Sequence, residues 1–118
     1  ASGKIAQIGD GEQLRAFTYV KDIIDGIYLA SVHNKNDTWN IGSPANKVSI
    51  NYLANRVKEL TNSKSDIIHI DPKTIYGPLY AEAWDKIPHP GKITSELNWR
   101  ATKNVDEIIK DVIEYWRS

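Results

Sequence analysis

The strand-like runs of this chain are short, which limits its fold more than any other feature. Lys4-Ile5-Ala6-Gln7-Ile8, Leu14 to Tyr19, Thr38-Trp39-Asn40-Ile41-Gly42 and Ile67 to Ile70 each hold only four to six residues. Helical runs alternate with them. Val20 to Val32 places Ile23, Ile24, Ile27 and Ala30 on one side, and Ile50, Leu53, Ala54, Val57 and Leu60 recur at helical spacing behind Ser49, a residue type suited to cap a helix. Near the end, Val105, Ile108, Ile109, Val112 and Trp116 form an apolar stripe, introduced by Asn104 with Glu107 three residues on, the spacing of a capping box. The alternation predicts a small mixed α/β unit with about three main helices. Its strands are too few for a doubly wound sheet, so the unit is expected to lean on a larger neighbour.

Glycine and proline punctuate the pattern. Gly9-Asp10-Gly11 is a strong turn signal that separates the first two extended runs. Gly26 sits inside a helical run, where glycine costs about 1 kcal/mol relative to alanine, so close packing against another element is the expected reason for it. Asp71 to Pro90 is proline-rich and without period, and reads as irregular. Gly91 to Leu97 can form a brief helix stopped at Asn98, a residue type that tolerates the left-handed conformation.

Composition removes several classes of function. At 118 residues the chain can bury roughly two-thirds of the surface of its unfolded form. No apolar run approaches the roughly 20 residues a spanning helix needs, so no membrane is implied. Fifteen basic residues balance fifteen acidic ones with no cationic cluster, which argues against nucleic acid as a partner. There is no cysteine, hence no disulfide, thiolate metal site or thiol nucleophile. Methionine is absent too, so a start at Ala1 reflects either a removed initiator or a piece of something longer.

Catalytic constellations are equally scarce. The sequence holds no glycine-rich dinucleotide loop, no phosphate loop, no Gly-x-Ser-x-Gly elbow, and no tyrosine followed four positions later by lysine. His33, His69 and His89 lack metal-ligand spacing. Arg15 is the residue that asks for an explanation, a permanent charge between a glycine turn and the apolar stretch Ala16 to Val20. Either it runs along a strand edge and pairs with Asp10 or Glu12, or its planar fork grips a phosphate through parallel hydrogen bonds.

Context bears on that choice. Gly9-Asp10-Gly11-Glu12-Gln13-x-Arg15-x-Phe17-x-Tyr19-Val20-x-Asp22 resembles the Gly-Asp-Gly-x-Gln-x-Arg-x-Phe-x-(His/Tyr)-Val-x-Asp segment of the extended short-chain dehydrogenase/reductases, the nucleotide-sugar epimerases, dehydratases and decarboxylases. Thr38-Trp39-Asn40-Ile41-Gly42 is similar to that family's strand ending in asparagine, isoleucine and glycine. Val48-Ser49-Ile50 then opens a helix, and Lys92 to Trp99 resembles its Lys-Ala-x-x-x-Leu-Gly-Trp element, with Asn98 where the family favours glycine. The likeness runs from Ile5 to Trp116.

The resemblance implies a nucleotide-sugar-binding domain over residues 1–118, the C-terminal substrate portion of an NAD-dependent epimerase/dehydratase, UDP-glucose 4-epimerase-like in character, with the Rossmann part and its Tyr-x-x-x-Lys pair absent from the sequence. It places a diphosphate contact on Arg15. In the family's 4-epimerases the residues before the glycine turn line the base pocket, which makes Ala6 and Ile8 either nucleobase contacts or strand core. A second phosphate-binding arginine usually lies before the Lys-Ala element; none stands between Asn62 and Trp99, and Lys86 is the nearest cation on one alignment. Tyr80, with Tyr76 and Trp84, is a candidate to shape the sugar pocket, whereas Trp39, Trp99 and Trp116 read as core. The implied partner is a UDP- or dTDP-linked sugar, the cofactor NAD or NADP held outside this sequence, the location cytoplasmic, and the full-length assembly commonly a homodimer. A non-catalytic binding or interaction module of the same fold is the alternative.

Overall fold

The two groups of strands do not merge into one sheet. The computed structural model describes residues 3–118. Strand β1 (Lys4–Ile8) pairs in parallel with β4 (Asp66–Ile70), Lys4 opposite Asp66 and Ile8 opposite Ile70. A separate sheet is ordered β3-β2-β5: β2 (Leu14–Ala16) lies antiparallel to β3 (Lys47–Ser49) and parallel to β5 (Asp85–Lys86). Among the described residues there are five helices: α1 (Val20–Val32), α2 (Ile50–Leu60), α3 (Pro72–Tyr76), α4 (Gly91–Leu97) and α5 (Val105–Arg117). A 3-10 turn at Pro44–Asn46 precedes β3.

Local chemistry explains most boundaries. Ser49 caps α2 by accepting the amide N–H of Tyr52, and Asn104 and Glu107 form a reciprocal capping box at α5. Asn98 ends α4 in the left-handed conformation at φ 57°. Gly11 has φ +78°, and a side chain there would meet Asn51 Oδ1 and Gln7 Oε1, so the turn requires glycine. A Cβ on Gly26 would lie 2.9 Å from Ile41 Cδ1 and 3.2 Å from the Trp99 indole nitrogen, the close packing expected of it.

The core is thin. Its buried apolar members are Ile93 and Trp99, in and just after α4 where it packs on α1, and Ala54, Val105 and Ile109, on α2 and α5, which pack on each other. Arg56 locks α2 to α5 through a two-pronged bond to Asp106, Nε to Oδ1 and Nη2 to Oδ2, both 2.8 Å. Asn46 is buried and ties the carbonyls of Phe17 and Lys103 together, at 2.9 and 2.8 Å. The radius of gyration is 17.0 Å, where a compact chain of this length has about 13.5 Å. The surface is 8186 Å², against about 6,500 Å² for a folded protein of this mass.

Four expectations are corrected. Thr38 to Gly42 forms no strand: among the described residues nothing pairs with it, and an extended run becomes a strand only when a neighbour takes its backbone groups. Asp71 to Pro90 is more regular than its prolines suggest, because Asp71 caps α3 with Pro72 in its first turn and β5 follows. Trp116 is not core but 79 % exposed, since α5 buries the side carrying Val105 and Ile109 while Val112, Tyr115 and Trp116 stand exposed in its second half. Trp39 is half-buried, its indole N–H donating to Glu96 and Lys92 lying 5.5 Å over the ring. Trp99 alone of these three is buried.

Candidate functional site

The glycine turn joins β1 to β2 and thereby brings Arg15 next to the segment that ends in β5. Leu14 opposes Asp85 and Arg15 opposes Lys86 in the parallel pair, and the Leu14 amide donates to the Trp84 carbonyl at 2.8 Å. The guanidinium is spent largely on that segment. Its Nη2 donates to Glu82 Oε1 at 2.6 Å, and its Nη1 donates to the carbonyls of Leu14 and Ala83, each at 2.7 Å. The partner is therefore Glu82, and neither Asp10 nor Glu12 as the short-range alternative had it. Asp10 instead accepts the Glu12 amide, and Glu12 bonds Asn51. Among the described residues Arg15 Nε makes no hydrogen bond, so Nε–H and one Nη2–H remain for another acceptor.

Glu82 is the second centre of the arrangement. Its Oε2 accepts the Tyr80 hydroxyl at 2.8 Å and its Oε1 the Ala83 amide at 3.1 Å. The Tyr80 hydrogen bond, with those from Arg15 and Ala83, holds the carboxyl below its ordinary value against the cost of burial. Conversely, the bond to Glu82 and then burial raise the Tyr80 hydroxyl above its ordinary value. Tyr80 also stacks on Tyr76, ring centres 5.1 Å apart. Tyr80 and Glu82 line a cleft of about 220 Å³ together with Gly9, Asp10, Gln13, Lys73 and Trp84.

The remaining named residues fall in different places. Ala6 and Ile8 share the exposed face of β1, so they are not strand core; the side chain buried on β1 is that of Gln7. Lys86 neighbours Arg15 in register, but its side chain lines a separate depression with Ala16, Thr18, Ile41, Gly42 and Pro88. Trp84 and Tyr76 are more than half exposed. Sequence reasoning missed Glu82 and Gln13. Gln13 is 7 % exposed, with Nε2 donating to the Ile8 carbonyl at 3.3 Å. Glu82 was visible only as an acidic residue two positions from Tyr80, whereas Gln13 stood in the resemblance as the glutamine of the glycine-turn motif with no role given to it.

Residues 1–112 match the family model described as GDP-mannose 4,6 dehydratase. The chain belongs to this family, within the extended short-chain dehydrogenases. A UDP-N-acetyl-alpha-D-glucosaminuronate decarboxylase of Bacillus cytotoxicus is 30% identical over 110 residues, covering 92% of this chain and 34% of the relative. UDP-D-apiose/UDP-D-xylose synthase 2 of Arabidopsis thaliana is 25% identical, over 92% of this chain and 30% of its own length. The chain thus spans about a third of the curated relatives it matches. Among solved structures, the UDP-glucose 4-epimerase of Thermotoga maritima, determined with UDP-glucose, superposes with a TM-score of 0.83 at 25% identity, over 97% of this chain and 35% of that one. The dTDP-glucose 4,6-dehydratase of Bacillus anthracis, in complex with NAD, also reaches 0.83, and at 15% identity that likeness speaks for the fold.

NAD does not fit the glycine turn of this family member. A dinucleotide pyrophosphate is held where a strand runs through glycines into a helix N-terminus, whereas Gly9 to Gly11 leads from β1 into another strand, β2.

Proposed function

We propose that residues 1–118 are the C-terminal, nucleotide-sugar-binding portion of an NAD(P)-dependent epimerase, dehydratase or decarboxylase. It holds the diphosphate of a UDP- or dTDP-linked sugar and orients the sugar toward chemistry carried elsewhere. The observation that carries this reading is the Arg15–Glu82–Tyr80 group beside the glycine-turn cleft: a guanidinium with donors to spare next to a carboxylate that accepts hydroxyls, the two functions a phosphorylated sugar requires. Ala6 and Ile8, exposed one turn away on β1, are assigned to the nucleobase. The part played here is orientation, worth much of a catalytic barrier when reacting atoms are held in line. The open surface supports the domain reading. Val20, Ile24, Ile27, Tyr28 and Val32 line the outside of α1, and the unpaired Thr38–Gly42 follows it, a helix and an extended run ready to pack on a sheet that these residues do not supply.

The test is calorimetry of the full-length polypeptide with UDP and with a UDP-sugar. Arg15→Ala is expected to weaken binding by about 1.5–3 kcal/mol, the scale of a charged hydrogen bond. Unchanged affinity would remove Arg15 from the site. Turnover of a UDP-sugar with NAD added distinguishes the enzyme from a non-catalytic module of the same fold.

A further inference from the structure

We propose that Lys73, on α3, is the cation that meets the phosphates of a nucleoside diphosphate in the Glu82 cleft; the assignment rests on the nucleotide-sugar reading above. Charge in and around the cleft is the argument. Asp10 and Glu82 contribute two carboxylates to its lining, and Arg15, which stands beside the cleft and not in its lining, is already bound to Glu82 and to two carbonyls. A diphosphate entering with these groups alone would face an uncompensated Asp10 and a half-neutralised guanidinium. Lys73 lines the same cleft, is exposed, and forms no ion pair among the described residues. Its ammonium sits on a flexible four-carbon stem, able to follow a phosphate group.

The stem has a firm base. Asp71 Oδ1 accepts the Lys73 backbone N–H at 2.9 Å, and the Lys73 carbonyl accepts the Gly77 N–H at 3.1 Å, so the backbone is held by caps at both ends of α3 while the side chain is left free. The cleft is also built to receive a polar ligand. Gln13 lines it nine-tenths buried, and its Oε1 has no partner among the described residues, an acceptor whose burial is costly until a donor reaches it. Trp84, more than half exposed, offers a flat apolar wall. Lys86, the other lysine near Arg15, lines a different depression.

The experiment titrates UDP into the full-length polypeptide and its Lys73→Ala, Lys73→Arg and Lys86→Ala variants at low and at physiological salt, with melting temperatures measured in parallel. Lys73→Ala is expected to bind UDP about tenfold or more weakly, with a shallower salt dependence and an unchanged melting temperature, and Lys73→Arg to recover most of the loss. Lys73→Ala within twofold of the parent overturns the proposal, as does a loss at Lys86→Ala with none at Lys73→Ala. dTDP is titrated alongside, and a parent polypeptide that binds neither UDP nor dTDP overturns the nucleotide-sugar reading and this assignment together, so the two failures are told apart.

Discussion

On the side of α1 that meets α4, Asp22 and Gly26 are buried, whereas on its opposite side Val20, Ile24, Ile27, Tyr28 and Val32 are each more than half exposed. A helix that folded only for this chain would be turned the other way. The buried side is held by specific bonds. Asp22 accepts the Thr102 amide and hydroxyl, both at 2.8 Å, and its carbonyl accepts the Trp99 indole N–H at 2.7 Å. Gly26 lets Ile41 and Trp99 approach. The exposed side has periodicity and, among the described residues, no partner. One helix thus carries two kinds of residue: small and hydrogen-bonding ones fasten it to the rest of the fold, while large apolar ones stand exposed, the stripe that the proposed function assigns to packing on a further sheet.

The comparison breaks first at Trp99. It is 3 % exposed and joins α4 to α1, so Trp99→Ala is expected to cost about 3–5 kcal/mol of unfolding free energy in urea denaturation. A loss below about 1 kcal/mol would mean that the buried side is not what holds the helix. Asp22→Ala leaves the Thr102 amide and hydroxyl without their acceptor, and a loss of about 1.5–3 kcal/mol is expected. Paired with Thr102→Ala in a double-mutant cycle, it should lose less than the sum of the single changes.

What could be read in advance follows the same division. Caps at Ser49, Asn98 and Asn104 and the turn at Gly9 to Gly11 were legible because each is decided by residues two to four apart. Arg15 was legible as unusual, but Glu82 lies 67 positions away, and only the parallel pairing of β2 with β5 makes them neighbours. Trp116 and Thr38 to Gly42 failed for another reason. Their patterns are correct for burial and for pairing, yet a pattern does not state whether the surface that answers it lies within the same residues. The periodicity of α1 was seen as well, with Ile23, Ile24, Ile27 and Ala30 on its apolar side, of which Ile24 and Ile27 prove to face outward while Ile23 and Ala30 are half-buried.

A smaller effect tests the site against the fold. Glu82 has its carboxyl lowered by Tyr80 and Arg15, so its folded value lies below the ordinary 4.5. Its contribution to stability is then fully present above the ordinary value and is lost as pH falls through the lowered one. Asp106, lowered by its bond to Arg56, acts in the same direction. Melting temperatures taken from neutral to acid pH should therefore fall on the acid side, and Glu82→Gln should make that fall shallower without removing it. An unaltered acid profile would show that the Glu82 bonds contribute nothing to folding and leave them to the ligand.

The smallest expected change is the most informative about the exposed side. Ile24→Lys replaces an exposed isoleucine in the middle of the outer stripe, and in residues 1–118 alone its cost should stay within about 0.5 kcal/mol, the range of surface substitutions. Trp116→Ala, at 79 % exposure, should behave likewise. The same Ile24→Lys change in the full-length polypeptide should be strongly destabilising, because a lysine ammonium would then be forced against an apolar partner surface with no counter-charge. Equal, near-zero effects in both would mean that the stripe stays in water even in the longer protein. The proposed packing of α1 on a further sheet would then be wrong, while the Arg15–Glu82–Tyr80 group would stand unaffected.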